Sequence, residues 1–290
     1  MGLKAKFNLV VVVAFAIGLA LAGALSYRFV QKNAREEVIQ NARIMMESAR
    51  AIRDYTAQEI RPLIDVHMET QFLPHSVPSF AAQTNFRALQ EEFPDFIYKE
   101  AALNPTNPAD RASDWEADII NEFRNNPNHT ELIVERETPT GRSLVLAHPL
   151  QVKSEACLAC HSTPAAAPLT MIALYGSANG FGWQMNEIIG AQIVSVPMSV
   201  PLDRAWNTFV IFMAMLSGVF VLVMILLNIL LHYVIIKPVR KISAIASAVS
   251  MGDLNVEEYE RRGNDEIASL SASFNRMRRS LESAMQMLTE

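Results

Sequence analysis

Two thiols and an imidazole stand together at Cys157-Leu158-Ala159-Cys160-His161, and the sequence holds no other cysteine. Thiols at i and i+3 can each add to one vinyl group of the same porphyrin. The residue after the second thiol then sits beneath the iron, where a neutral imidazole serves as ligand. The spacing predicts one covalently attached haem c, with Cys157 and Cys160 as thioether donors and His161 as the proximal iron ligand. Two other chemistries compete. A dithiol redox centre wants its pair at a helix N-terminus, whereas Val152 to Glu155 and Ser162 to Pro164 read as loop. A structural zinc wants four ligands, and no second Cys-x-x-Cys or His-x-x-x-His completes such a set.

What must position these groups begins with the membrane. Half of the residues are hydrophobic, and two stretches account for much of the excess: Leu9 to Leu25 and Asn207 to Ile236 both lack any charge. We read residues 1–6 as a cytoplasmic N-terminus, 7–27 as a first transmembrane helix retained as a signal anchor, and 28–206 as a periplasmic sensor domain. A second transmembrane helix follows over 207–236, and 237–290 return to the cytoplasm. A cleavable signal peptide is the competing reading of the first stretch, because Lys4 and Lys6 precede an apolar run that reaches Ala20-Leu21-Ala22. Lys237, Arg240 and Lys241 after the second span support the orientation, and Arg28, Lys32 and Arg35 weaken it. The haem motif decides it, since c-type haem is attached outside the bacterial inner membrane. The net charge of −5 gives no reason to invoke nucleic acid.

Along the exported part, Val38, Ala42, Met45, Met46, Ala49 and Ile52 recur at helical spacing between Gly23 and Pro62, which predicts one long helix leaving the membrane. Pro62 ends or kinks it, and Leu73 to Pro78 form a loop. Helical spacing returns from Phe80 to Phe93. Ser113 and Glu116 make a capping box ahead of Trp115, Ile119, Ile120 and Phe123. The period then turns extended: Leu132 to Val134 and Ser143 to Leu146 flank Thr138-Pro139-Thr140-Gly141 as a hairpin, Met171 to Tyr175 follow, and Ala191 to Val196 form a strand feeding the second span. Helices first and an antiparallel sheet later imply an α+β fold of PAS-like type.

The runs Ala102 to Pro108, Asp114 to Asp118, Thr138 to Arg142, Cys157 to Pro164 and Gly190 to Pro197 resemble a bacterial family of c-type-haem-binding, PAS-like periplasmic sensor domains, formerly catalogued as a domain of unknown function. The resemblance covers most of residues 35–200. It implies that the second iron ligand comes from the N-terminal helix, a role that a cysteine has in one branch. No cysteine stands there in this chain. Met46 or Met45, on the apolar face of that helix, are candidates for the distal position, as are His67, His148 and Met68; core packing is the plainer reading of the methionines. His129 and His232 read as bystanders.

Beyond the second span, Val239, Ile242, Ala246 and Val249, and then Ile267, Leu270, Phe274, Met277, Leu281, Ala284 and Leu288, alternate three and four apart. Two heptad helices around Gly252-Asp253-Leu254, with Pro238 at the start of the first and Asp265-Glu266-Ile267 opening the second, resemble a HAMP domain. That likeness implies a homodimer. Since no kinase, cyclase or methyl-accepting domain is encoded, a cytoplasmic signalling partner in trans is expected. The expectation is a non-enzymatic membrane sensor of redox state or of NO, CO or O2. A membrane-anchored cytochrome for electron transfer is the alternative, disfavoured because a redox carrier has no use for a heptad relay.

Overall fold

A computed structural model describes residues 2–289 other than 69, 140 and 254, without the side chains of 288 and 289. Thr140 of the expected hairpin turn, Leu254 of the expected connector, the Leu288 side chain of the heptad seam and Glu290 lie outside that description. The chain divides into two compact units, 27–209 and a second composed of 1–26 with 210–290.

In the first unit, helix α1 (Leu3–Tyr55) contributes its C-terminal half. As the spacing required, Val38, Ala42, Met45, Met46 and Ala49 are its buried face. It widens into a π-helical turn, Thr56–Ile60, and continues as α2 (Arg61–Ile64) and a 3-10 turn, Asp65–His67. The cause of the wide turn is local. Pro62 has no N–H to donate, and in a regular helix its ring would strike the carbonyl four residues back; here the Arg61 N–H reaches instead to the Thr56 carbonyl. Helix α3 (Pro78–Glu92) precedes strand β1 (Ile97–Ala102), and α4 (Asp114–Asn125) starts at the expected capping box, where the Ser113 N–H donates to Glu116 Oε2 at 2.7 Å. Strands β2 (Leu132–Thr138) and β3 (Gly141–Gln151) form the hairpin, with Gly141 at φ 113°. Helices α5 (Glu155–His161) and α6 (Leu169–Tyr175) precede β4 (Ile188–Pro197).

The sheet is antiparallel, in the order β1-β4-β3-β2. Alternation divides it cleanly. Tyr98, Leu144, Leu146, Val194 and Val196 face α1 and α3, while Ala101, Val145, Ala147, Ala191 and Ile193 face Ile119, Ile120 and Phe123 of α4. Two corrections to the sequence reading concern the site itself. The Cys157–Cys160 pair sits in the first turns of a short helix that follows a strand, a setting the sequence reading denied it, although Val152 to Ser154 and Ser162 to Pro164 are non-helical as expected. Met171 to Tyr175 are helical, not extended, between Pro168 and Gly176 at φ 79°. Strand β1 was also invisible to the hydrophobic pattern, because Lys99 and Glu100 interrupt it.

In the second unit the N-terminal part of α1 lies antiparallel to α7 (Ser199–Leu230): Phe15 stacks on Phe220 at 4.5 Å, Gly23 leaves room for the Met213 side chain, and Asn8 Nδ2 donates to Asn228 Oδ1 at 3.0 Å. Both helices are long and apolar enough to cross a membrane. A second π-helical turn, Leu231–Ile236, precedes Lys237-Pro238, the same device as before Pro62. Helices α8 (Lys237–Ser250) and α9 (Glu266–Thr289) share a core of Ile242, Val249 and Phe274. Asp265 caps α9 by accepting from the Ala268 N–H at 2.7 Å.

Candidate functional site

Helix α5 opens at Ser154, whose hydroxyl accepts from the Ala156 N–H at 3.2 Å. Cys157 and Cys160 therefore lie one helical turn apart on one face, both half-buried free thiols, and His161 closes the helix.

A loop clamps that histidine. The Trp183 N–H donates to the His161 carbonyl at 3.2 Å and the Gly182 N–H to the Ser162 carbonyl at 3.0 Å. The Trp183 ring stacks on the imidazole, with centroids 3.9 Å apart and planes 14° from parallel. The Gly180 carbonyl stands 2.8 Å from His161 Nδ1. A carbonyl can only accept, so Nδ1 carries the proton and Nε2 presents its lone pair. Burial lowers the imidazole pKa against a smaller opposing effect of the Gly180 carbonyl, which keeps the ring neutral.

Glycine at 180 is demanded twice. Its φ is +83°, and a Cβ there would lie 2.0 Å from Thr106 Oγ1. Thr106 belongs to the Asn104-to-Pro108 loop, which also brings its hydroxyl to 3.4 Å from His161 Nδ1. In the sequence the first of these loops stood out only as part of the resembling run Ala102 to Pro108. Their work as the frame of His161, and the stacked Trp183, were not legible in it; the glycine-rich spacing from 180 to 182 was the available signal.

Cys160 lies within electrostatic reach of the segment that follows α1. Burial pushes the Cys160 thiol up, while Arg61 and Asp65 act on it with opposite signs. Thr170 Oγ1 of α6 donates to the Met68 carbonyl at 2.7 Å, and Phe72 packs edge-on against Tyr175 at 5.9 Å. A cleft of about 480 Å³ opens beside this region between Ile52, Tyr55, Thr56, Ile60 and His75.

The other candidates lie elsewhere. Met45 and Met46 are core residues among Phe86, Tyr98, Leu146 and Val194. His148 Nε2 is 3.4 Å from Glu131 Oε2, whose carboxylate also takes Arg43 at 2.8 Å. His67 is exposed at the end of the 3-10 turn, next to Met68.

The motif's helical state removes the ground on which a dithiol centre was set aside. What favours haem over it is the imidazole directly after the second thiol, held with its Nδ1 on a backbone carbonyl, a group that a dithiol centre does not require. Among the described residues no group of three or more His, Cys, Asp or Glu side chains could hold a metal ion by itself. Two thiols one turn apart, followed by an imidazole with Nδ1 engaged and Nε2 free to coordinate, are the donor set that thioether attachment and axial ligation of a haem require.

A HAMP domain model matches residues 230–283. No curated protein matches the chain. Among solved structures, that of the cyanobacterial heme-protein Tll0287 is 16% identical, over 56% of this chain and 95% of the other, with a TM-score of 0.42. A Tll0287-like family model matches residues 31–197, more than half of the chain, which therefore belongs to the Tll0287-like family and carries a HAMP domain behind it.

Proposed function

We propose that the chain is a membrane sensor in which residues 28–206 hold one haem c on the periplasmic side and the HAMP domain relays its state to a cytoplasmic partner in trans. Membership of a haem-protein family followed by HAMP suggests a non-enzymatic signal transducer. The observation that carries the finer reading is the Gly180 carbonyl on His161 Nδ1, which fixes the tautomer and leaves the lone pair on Nε2, directly after thiols one helical turn apart. Cys157 and Cys160 would form the thioethers and His161 the proximal ligand. A bound haem would supply a redox-active iron able to take a diatomic gas.

This chain's residues do the rest. Trp183 and Thr106 hold the imidazole plane. The segment beyond α1 supplies the second axial ligand, with His67 the imidazole nearest in sequence to Arg61 and Asp65, whose charges reach Cys160. The core positions of Met45 and Met46 and the Glu131 contact of His148 speak for other duties. Residues 7–27 and 207–236 span the bacterial inner membrane. A homodimer is favoured by Leu270, Met277 and Leu281, which repeat at heptad spacing along α9 yet stay exposed in one chain.

The test is the absorption spectrum of the full chain matured with haem, oxidised and reduced, under CO and NO. Covalent haem is expected to survive acid-acetone extraction and to be lost from the Cys157→Ala/Cys160→Ala double variant. His67→Ala should shift the bands and admit CO, and Met46→Ala should leave them in place. Haem that extracts freely from the unmodified chain would sink the c-type reading. Unmodified bands that move readily under CO favour gas sensing; bands indifferent to both gases favour redox sensing or electron transfer.

A further inference from the structure

At the exit of the second apolar helix, α8 and the connector before α9 enclose a cleft of about 460 Å³ lined by Tyr233, Val234, Lys237, Pro238, Lys241, Tyr259 and Arg261. Three of these side chains are cationic. Lys237 and Lys241 stand one turn apart, their ammonium groups 5.9 Å and 4.8 Å from the ring centroids of Tyr233 and Tyr259. Arg261 is held by the backbone. Its Nη1 donates to the Val234 carbonyl at 2.8 Å, an acceptor that the N–H of residue 238 would serve in a regular helix and that Pro238 cannot. Its Nη2 donates to Asp265 Oδ2 at 2.7 Å, and that carboxylate is spent further on the α9 cap. The cleft thus keeps two ammonium groups uncommitted to carboxylates in the contacts described, with tyrosine rings as its walls.

Its level along the chain selects the ligand. The apolar run ends at Ile236, so the cations begin where an aliphatic interior would give way to headgroups. We propose that this cleft binds the phosphate-bearing headgroup of an anionic phospholipid, with Lys237 and Lys241 on the phosphate and Tyr233 and Tyr259 beside the glycerol. The inference rests on the reading of α7 as membrane-spanning.

The experiment uses the full chain in nanodiscs of phosphatidylcholine, with and without phosphatidylglycerol, and reads amine labelling of Lys241 and Lys237 by mass spectrometry. Lys6 is the internal control, because Asn8 beside Asn228 puts it at the same end of the helix pair. Phosphatidylglycerol is expected to slow labelling of Lys241 and Lys237 about fivefold relative to Lys6, the ratio equivalent to roughly 1 kcal/mol for one specific ion pair over and above the surface potential that Lys6 shares. In Lys241→Gln the protection of Lys237 should shrink. Equal slowing at Lys6 would reduce the effect to bulk surface potential and overturn the site. Protection by inorganic phosphate in phosphatidylcholine discs would overturn the lipid in favour of a soluble anion. A chain that fails to enter nanodiscs at all sinks the membrane reading, whereas one that enters and labels equally in both lipids sinks only the site.

Discussion

The two faces of the sheet are built on different terms. Against α4 the centre is carbon on carbon, with Ile119, Ile120 and Phe123 filling the space over Val145, Ala147 and Ile193, and polar contacts lie at its edges: Lys99 Nζ on buried Glu116 at 2.7 Å and Arg124 Nε on the Ile188 carbonyl at 2.8 Å. Against α1 the apolar contact is made by small or flexible side chains, Val38, Ala42, Ala49 and the two methionines, and then it gives way to a polar row. Glu100, Gln192 and His148 are directly paired across β1, β4 and β3, with Glu131 beyond. Arg53 of α1 grips buried Glu100, Tyr98 donates to the same carboxylate at 2.7 Å, and Gln192 donates to the Tyr98 oxygen at 3.0 Å. Burial, with the Glu100 charge behind it, drives the Tyr98 hydroxyl well above its ordinary pKa, so it stays a donor. Arg43 closes the row on Glu131. The difference is one of weight: volume at the centre does most to fix α4, and a connected polar row does most to fix α1. Volume resists any displacement gradually, while a set of aimed hydrogen bonds specifies one register and is lost as a unit.

Three experiments break or sharpen that contrast. The largest effect is expected from Phe123→Ala, which removes a fully buried ring: a loss of about 3–5 kcal/mol, seen as a lower midpoint in the thermal near-ultraviolet signal of the full chain in detergent. Glu100→Gln should cost less, about 1.5–3 kcal/mol, since one charge-assisted partner of a mostly buried arginine is lost. Its signature is place: hydrogen exchange should quicken along α1 near Arg53 and leave α4 unchanged. Even acceleration on both faces would count against a directional α1 seat. The smallest effect is a pH dependence. Hydrogen bonding from Arg43, the leading cause, holds the Glu131 carboxyl below its ordinary 4.5. A depressed folded pKa gives stability that is fully present above 4.5 and lost as pH falls through the lowered value. Arg43→Gln should therefore flatten the acid side of the melting profile, and an unchanged slope would remove Glu131 from the account.

What the sequence disclosed, and what it withheld, follows the same division. The thiol spacing, the Ser113 box, the hairpin at Gly141 and the apolar stripe of α1 are local patterns, and each has its counterpart in the structure. Strand β1 escaped notice because Glu100 is buried for a partner 47 residues away, a pairing that no local period encodes. The frame of His161 was hidden for the same reason: Thr106 and Gly180 come together only once the sheet has brought their loops to one end. Helix α6 was misread because its run of apolar residues is too short for periodicity to separate helix from strand; Pro168 before it and Gly176 after it were the deciding marks.

The wide turn at Thr56–Ile60 acts as an index in the rod. Each residue added to a helix rotates everything after it by about 100°, so the turn sets which compass bearing Pro62 to His67 take once the sheet-facing stripe ends at buried Thr56. Removing one residue from within it would leave α1 seated as before and swing the bearing of His67 by that step. Pro238 imposes the same indexing where the second apolar helix hands its bearing to α8. The chain thus carries two settings of rotational phase, one in each unit, each adjustable by a single residue and each pinned by a proline.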